Sequence, residues 1–359
     1  MRSSLLVLFY LCIVLSSYAQ ETLLSKEALA QKKVYTSFAE ASKNPQDVYV
    51  LRLSYQNYGF ISSEIANFSN LQILDLSFNK LKKLPAEIKM LKNLQYVYLD
   101  RNLFEEFPRE LVALTNLKEL HLNYCHLKHL PPSVGNLKQL QELSLYGNEI
   151  QDLPSQIGSL VHLKYLDLTH NSISKLPEEI WTLYNLERLY LSGNSLSGTM
   201  ERISELEQLQ ELRINNNWLV DYEALCQALA KISTFKRLSL GTNNLMVIPE
   251  TLANINTLEE LYLSGNPKLD FAQVFQVLGQ LPQLEELNLS LSQINTLPSE
   301  ISYLKGLKKL NLGVNQLQTL PAQMSSMTTL ERIDLTSNQF SEEMKGKAQE
   351  ILPQALIIF

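Results

Sequence analysis

The residues with the most obvious chemistry sit in one short stretch, "HLNYCHLKHL", residues 121–130. It holds His121, Cys125, His126 and His129, in a chain with only 5 His and 3 Cys. Imidazole nitrogens and thiolates are the usual ligands of zinc, so the stretch could be a metal centre and, with a coordination position left open, a hydrolytic one. Zinc needs its ligand atoms about 2.0–2.3 Å away, so the side chains must converge from the elements that carry them. Whether they do depends on what those elements are. No other catalytic signature accompanies them: the chain has no phosphate loop, no HExxH, no GxSxG and no carboxylate pair in a supporting context.

The totals narrow the function classes. The 359 residues are 45% hydrophobic and 19% charged, an ordinary globular balance. That length suits two domains or one elongated array. Net charge is −6, with acid spread along the chain and no Lys/Arg block, which argues against nucleic acid as a partner. The start, "MRSSLLVLFYLCIVLSSYAQET", sets Arg2 before an apolar run from Leu5 to Leu15 and places the small Ser17 and Ala19 two apart. This is the pattern of a signal peptide, residues 1–19, cut near Ala19–Gln20. The run falls far short of the ~20 residues that span a bilayer, and Cys12 lies inside it rather than after it as a lipoprotein cysteine would. No later segment reads as transmembrane. Without the leader, only Cys125 and Cys226 remain, too few for a disulfide-stapled exterior protein.

The positioning elements come from a repeat. "LQILDLSFNKLKKLPAEIKMLKN" starts at Leu71, "LQYVYLDRNLFEEFPRELVALTN" at Leu94, "LQELSLYGNEIQDLPSQIGSLVH" at Leu140 and "LKYLDLTHNSISKLPEEIWTLYN" at Leu163. Units begin at 48, 71, 94, 117, 140, 163, 186, 209, 235, 258, 284, 307 and 330, about 13 in all, with 26-residue units at 209–234 and 258–283. Leucines two apart in LxxLxL point the same way, as in a strand. The later Leu and Ile supply the opposite wall of a core that only neighbouring units can cover. Pro85, Pro108, Pro131, Pro154, Pro177, Pro249, Pro298 and Pro321 share one repeat position, suited to a non-strand segment that needs no N–H. Met200 breaks that series, so a local irregularity is expected there. The long units should carry helices, capped by Asp221 before Leu225, Leu229 and Ile232, and by Asp270 before Val274, Leu278 and Leu281.

The frame LxxLxLxxNxLxxLPxxIxxLxx, held in register over residues 48–340, resembles the leucine-rich repeat family, in the 23-residue form of bacterial repeat proteins and Ras-type scaffolds. The resemblance implies an α/β solenoid: a horseshoe with a concave parallel β-sheet, convex turns and short helices. Residues 20–47 would form a helical N-terminal cap, with Ser37 and Glu40 as a capping box and Asn44–Pro45 as its stop. Residues 341–359 would form the C-terminal cap, a helix striped by Met344, Ala348 and Ile351 and a last strand over 355–359, with no further domain after it. The resemblance also implies that Asn79, Asn102, Asn148, Asn171, Asn194, Asn217, Asn243, Asn266, Asn315 and Asn338 form a buried ladder. Cys125 and Ser292 stand at the same position.

Register then answers the zinc question. Cys125 points inward, His121 points outward between Leu120 and Leu122, and His126 and His129 fall in the following turn. The chain from His121 to Cys125 spans up to ~13 Å if extended, and these directions do not converge, so no metal and no cofactor are expected. Cys226, four units on and about 19 Å away at the strand spacing, is beyond disulfide reach of Cys125.

The outward strand positions are rich in tyrosine. Tyr49, Tyr55, Tyr96, Tyr98, Tyr124, Tyr146, Tyr165, Tyr190 and Tyr262 occupy them, and all but the last lie in the first seven units. Tyrosine suits strands in any case, but aromatic residues beside arginine are also typical binding anchors. The candidate partner-binding residues on the concave face are Tyr55, Phe78, Tyr96, Tyr98, Arg101, His121, Tyr124, Tyr146, Tyr165, Asp167, His170 and Tyr190. The expected function is a non-enzymatic, exported, monomeric module that binds a protein or peptide, in the periplasm, secreted or at the cell surface, of a bacterium. A structural or adhesive surface protein is the alternative. A hydrolase built around His121, Asp167 and Tyr98 is a weaker one, and no catalytic residue is assigned. Sequons at Asn67 and Asn288 would matter only in a eukaryotic secretory route.

Overall fold

The computed structural model describes residues 23–359, so the expected leader lies outside it. The chain divides into two units between Asn148 and Glu149.

In the first unit each repeat yields one short strand, and the N-terminal segment adds one before them. The strands are β1 (Val34–Tyr35), from that segment, and β2 (Val50–Arg52), β3 (Ile73–Asp75), β4 (Tyr96–Tyr98), β5 (Glu119–His121) and β6 (Glu142–Ser144), from the repeats, parallel and in chain order. Equivalent positions pair, Leu51 with Leu74, Leu74 with Val97, Val97 with Leu120 and Leu120 with Leu143, and all five are fully buried. Each such side chain contributes about 1.5–3 kcal/mol by leaving water. Pro85, Pro108 and Pro131 each precede a 3-10 turn, at 86–90, 109–113 and 132–136. The proline has no donor to leave unpaired, and its carbonyl accepts from the inward residue of the turn, as Pro85 O does from Ile88 N at 3.1 Å.

The N-terminal segment does more than close the end of the stack. It forms α1 (Lys26–Ala30) and α2 (Phe38–Ala41), the latter capped by Ser37 Oγ accepting from Glu40 N at 3.2 Å. While β1 extends the sheet edge beside β2, α1 packs on the outward strand face, where Leu29 clusters with Val50, Ile73 and Tyr96. Leu24 N donates to Gln72 Oε1 and Gln95 Nε2 donates to Leu24 O, both at 2.9 Å. Val50, Ile73 and Tyr96 form an apolar strip on the face that would otherwise meet water, and the segment covers it.

The second unit repeats the plan with β7 (Tyr165–Asp167), β8 (Arg188–Tyr190), β9 (Ser197–Gly198), β10 (Glu211–Arg213), β11 (Leu219–Val220), β12 (Arg237–Ser239), β13 (Glu260–Tyr262), β14 (Glu286–Asn288), β15 (Lys309–Asn311), β16 (Arg332–Asp334) and β17 (Leu356–Ile358). All run parallel in chain order except β9 and β11, which pair with each other as a separate two-stranded sheet. That pair lies beside the irregularity at Met200, where the backbone (φ −121°, ψ 39°) is not the extended one of the prolines. The two long repeats carry α3 (Tyr222–Leu229), with Asp221 Oδ1 accepting from Ala224 N at 3.0 Å, and α4 (Phe271–Leu278), with Asp270 Oδ1 accepting from Ala272 N at 3.0 Å. α5 (Glu342–Ile351) is capped by Ser341 and leads to β17, which pairs with β16. Each unit is thus the α/β solenoid expected from the repeat.

The asparagine ladder is present in both units. Asn102 Oδ1 accepts from Leu81 N at 2.9 Å while its Nδ2 donates to Leu76 O and Leu99 O at 3.0 and 2.8 Å, stitching adjacent turns. Cys125 takes the same place, its thiol 3.3 Å from Leu99 O, and Ser292 Oγ donates to Ser290 O at 3.1 Å. Among the described residues Cys125 and Cys226 are both free and buried, and burial pushes each thiol up to about 12.

Candidate functional site: the outward strand faces

The turn after each strand enters the left-handed backbone region, in the first unit at Asn57 and His126 and at one shared repeat position. That shared position holds Tyr55, Phe78, Arg101 and Tyr124, with φ between 53° and 60°, followed by Gly147 at 68°. An L side chain there costs roughly 1–2 kcal/mol, which glycine avoids. The four side chains form a column along the edge of the face. Tyr55, 70% exposed, stacks on Phe78 with ring centroids 4.2 Å apart, and the Arg101 guanidinium carbon lies 5.5 Å from the Phe78 ring and 4.2 Å from that of Tyr124. Tyr146 meets Tyr124 edge-on at 4.9 Å. Gly147 forms the floor of the column, since a Cβ there would lie 2.7 Å from the Tyr124 ring.

The middle of this face is less open than the repeat pattern suggested. Tyr96 is only 4% exposed because α1 lies against it, so it is not available to a partner in this arrangement. Tyr98 is half-buried and donates its hydroxyl proton to Glu119 Oε2 at 2.8 Å; burial, then the Glu119 charge, holds that proton well above the usual phenol range. Glu119 Oε1 accepts from Lys26 Nζ of α1. His121 meets Tyr98 edge-on at 5.0 Å. The four residues of the opening stretch separate as register required: Cys125 is buried inside, while His126 and His129 are exposed. His121 instead joins Glu119 and Glu142, a set absent from the sequence reading.

In the second unit Tyr165 donates to Asp167 Oδ2 at 3.0 Å and meets Tyr190 edge-on at 5.2 Å. Arg188 lies 4.8 Å over Tyr165 and Arg213 lies 4.3 Å over Tyr190. Glu211, buried, pairs with Arg213 at 2.7 Å and Arg237 at 3.1 Å. Burial alone would raise its carboxyl, but the hydrogen bonds and charge of Arg213, with Tyr190 and Arg237, hold it below the usual range. His170 is exposed, in the left-handed region at φ 53°, and rests against Gly193.

Sequence reasoning missed Lys26, Glu119, Glu142, Arg188, Glu211 and Arg213. A signal existed for all but Lys26 and Arg213. The third repeat position reads Val50, Ile73, Tyr96, Glu119, Glu142 in one unit and Tyr165, Arg188, Glu211, Arg237 in the other, an apolar strip followed by charge. In the second unit Trp218, Leu219, Met246 and Val247 are also exposed, which the leucine frame did not indicate.

The comparisons agree with this architecture. Family models match residues 69–111 (Leucine Rich repeats, 2 copies), 115–173 and 278–340 (Leucine rich repeat) and 155–270 (Leucine-rich repeat region). A solved leucine-rich repeat protein of Leptospira interrogans is 31% identical, with 91% of this chain and 100% of that one covered and a TM-score of 0.63. The chain belongs to the leucine-rich repeat family. At lower identity, the ectodomain of the plant membrane receptor kinase GASSHO1/SCHENGEN3 from Arabidopsis thaliana, solved with CASPARIAN STRIP INTEGRITY FACTOR 2, is 24% identical, covering 91% of this chain and 43% of that one at a TM-score of 0.62. TLR13, solved with ssRNA13, is 22% identical, covering 90% and 52% at 0.65. These two likenesses speak to the fold. Comparison with curated proteins gives no match.

Proposed function

We propose that the chain is an exported, non-enzymatic binding module of bacterial type that holds a protein or peptide on its outward strand faces. The observation that carries the reading is the Tyr55–Phe78–Arg101–Tyr124 column, four large side chains at backbone positions where glycine would be unstrained. Strain kept in register along an exposed aromatic and cationic column points to a use for the side chains themselves. The α1 segment supports it. Leu24 and Leu29 fill the apolar strip, the Leu24 main chain bonds to two glutamines and Lys26 meets Glu119, which is how a peptide would be held. Two of the relatives above are solved with CASPARIAN STRIP INTEGRITY FACTOR 2 and with ssRNA13. Here the net charge of −6 favours a protein or peptide. Export rests on the Arg2, Leu5–Leu15 and Ala19 pattern.

The test replaces Tyr55, Phe78 and Tyr124 together by glycine, which the backbone accepts without strain. Affinity capture from cell extracts with the 20–359 chain should lose its specific proteins in the variant, with the melting temperature shifted by no more than a few degrees. An unchanged set of captured proteins would refute the reading. Export is checked by fractionating producing cells and sequencing the N-terminus, expected at Gln20; a cytoplasmic protein that keeps its leader would sink that part.

A further inference from the structure

Glu119 and His121 stand two residues apart on β5, and Glu142 pairs with Glu119 from β6, so all three project from one face of adjacent strands. One ligand atom from each, two carboxylate oxygens and an imidazole nitrogen, lie within 4.8 Å of one another. Among the described residues His121 Nε2 is buried and has no hydrogen-bond partner, a costly arrangement for a ring nitrogen. The surroundings are acidic. Asp100 interacts electrostatically with both His121 and Asp75. A cation reaches this set from the N-terminal segment: the Lys26 ammonium meets Glu119 Oε1 and lies 5.3 Å from the Tyr96 ring.

We propose that Glu119, His121 and Glu142 form a site for a divalent transition metal of the zinc class, and that the Lys26 ammonium holds the metal's place at Glu119. Ligand atoms about 2.1 Å from a tetrahedral ion stand about 3.4 Å apart, so closing the set from within 4.8 Å takes a side-chain adjustment of about 1.4 Å at most. One imidazole with two carboxylates suits zinc and its neighbours rather than magnesium or calcium, which take oxygen alone. The Tyr98 hydroxyl, donating to Glu119 Oε2, orients that carboxylate so that Oε1 faces the ion. Metal and Lys26 compete for the same oxygen, so the N-terminal segment sets the affinity of the site.

The experiment titrates the metal-stripped 20–359 chain with zinc chloride by calorimetry and with cobalt(II) by visible absorption, with far-UV circular dichroism as a check on folding. Expected are one ion per chain, at least about tenfold weaker binding in Glu142→Gln and in His121→Ala, and at least about tenfold tighter binding in Lys26→Met. His126→Ala with His129→Ala should change nothing. The proposal is overturned if neither the wild type nor Lys26→Met binds one ion, if stoichiometric binding survives His121→Ala, or if Lys26→Met binds more weakly. Glu142→Gln carries the test should His121→Ala fail to fold.

Discussion

Replacing Asn266 by alanine tests how much the ladder holds the second unit together. The side chain is fully buried, and its Oδ1 accepts from Asn243 N at 3.0 Å and Leu245 N at 3.2 Å. Its Nδ2 donates to Leu240 O at 3.1 Å and Leu263 O at 2.9 Å. Alanine removes all four bonds and leaves two N–H groups and two carbonyls short of a partner inside the core. At about 1 kcal/mol net for each neutral bond, and more for groups left unpaired, the loss should be about 3–5 kcal/mol. Trp181 and Trp218, the only tryptophans, both lie in this unit, so urea titration followed by fluorescence reads it directly. Asn266→Asp sharpens the test. It keeps both accepted bonds but sets an ionised oxygen against Leu240 O and Leu263 O, so its folded-state pKa is raised above the unfolded ~3.9. The native state then holds a proton the unfolded chain has released, so the penalty is full at pH 8 and shrinks as pH falls through the raised value. A loss below about 1 kcal/mol for Asn266→Ala, or an aspartate variant more stable than the alanine one at pH 8, would refute the reasoning.

Other expectations follow from the same geometry. Cys125→Asn restores the missing ladder acceptor, so the urea midpoint should rise by the equivalent of about 1 kcal/mol. Native Cys125 and Cys226, their thiols pushed up to about 12, should not react with a thiol reagent at pH 8 until urea unfolds the chain. Gly193→Ala puts a Cβ 2.5 Å from His170 Nδ1 at φ +65°, and should cost about 1–3 kcal/mol by thermal melting, with only the steric part recovered by adding His170→Ala. Glu211 has a folded pKa below its unfolded value, so its contribution is present above the unfolded pKa and is lost as pH falls through the folded one. The melting-temperature gap between wild type and Glu211→Gln should therefore hold at pH 7 and shrink below about pH 4.

Much of the molecule could be read from the chain because its folding information is periodic. The recurrence of Leu51, Leu74, Leu120 and Leu143 at one position implied inward-facing strand residues, and the two 26-residue repeats, with Asp221 and Asp270 at their helix starts, implied α3 and α4. Cys125 could be placed in the core because register, rather than its histidine neighbours, decides which way it points. The column from Tyr55 to Tyr124 was visible as a list of residues, but its left-handed backbone and the Arg101 sandwich were not, because propensity says nothing about which neighbour a ring lies on.

The repeat encodes packing of each turn on the next, and what it encodes is what the sequence alone determined: the solenoid, the ladder and the inward face. Tertiary structure alone decided that α1 lies on the strand strip, that Tyr96 is thereby covered, and that Lys26 meets Glu119 across 93 residues of chain. The non-repeating segment has no register to inherit. It docks where apolar surface and unpaired charge most favour covering, and that surface exists only once the strands stand side by side.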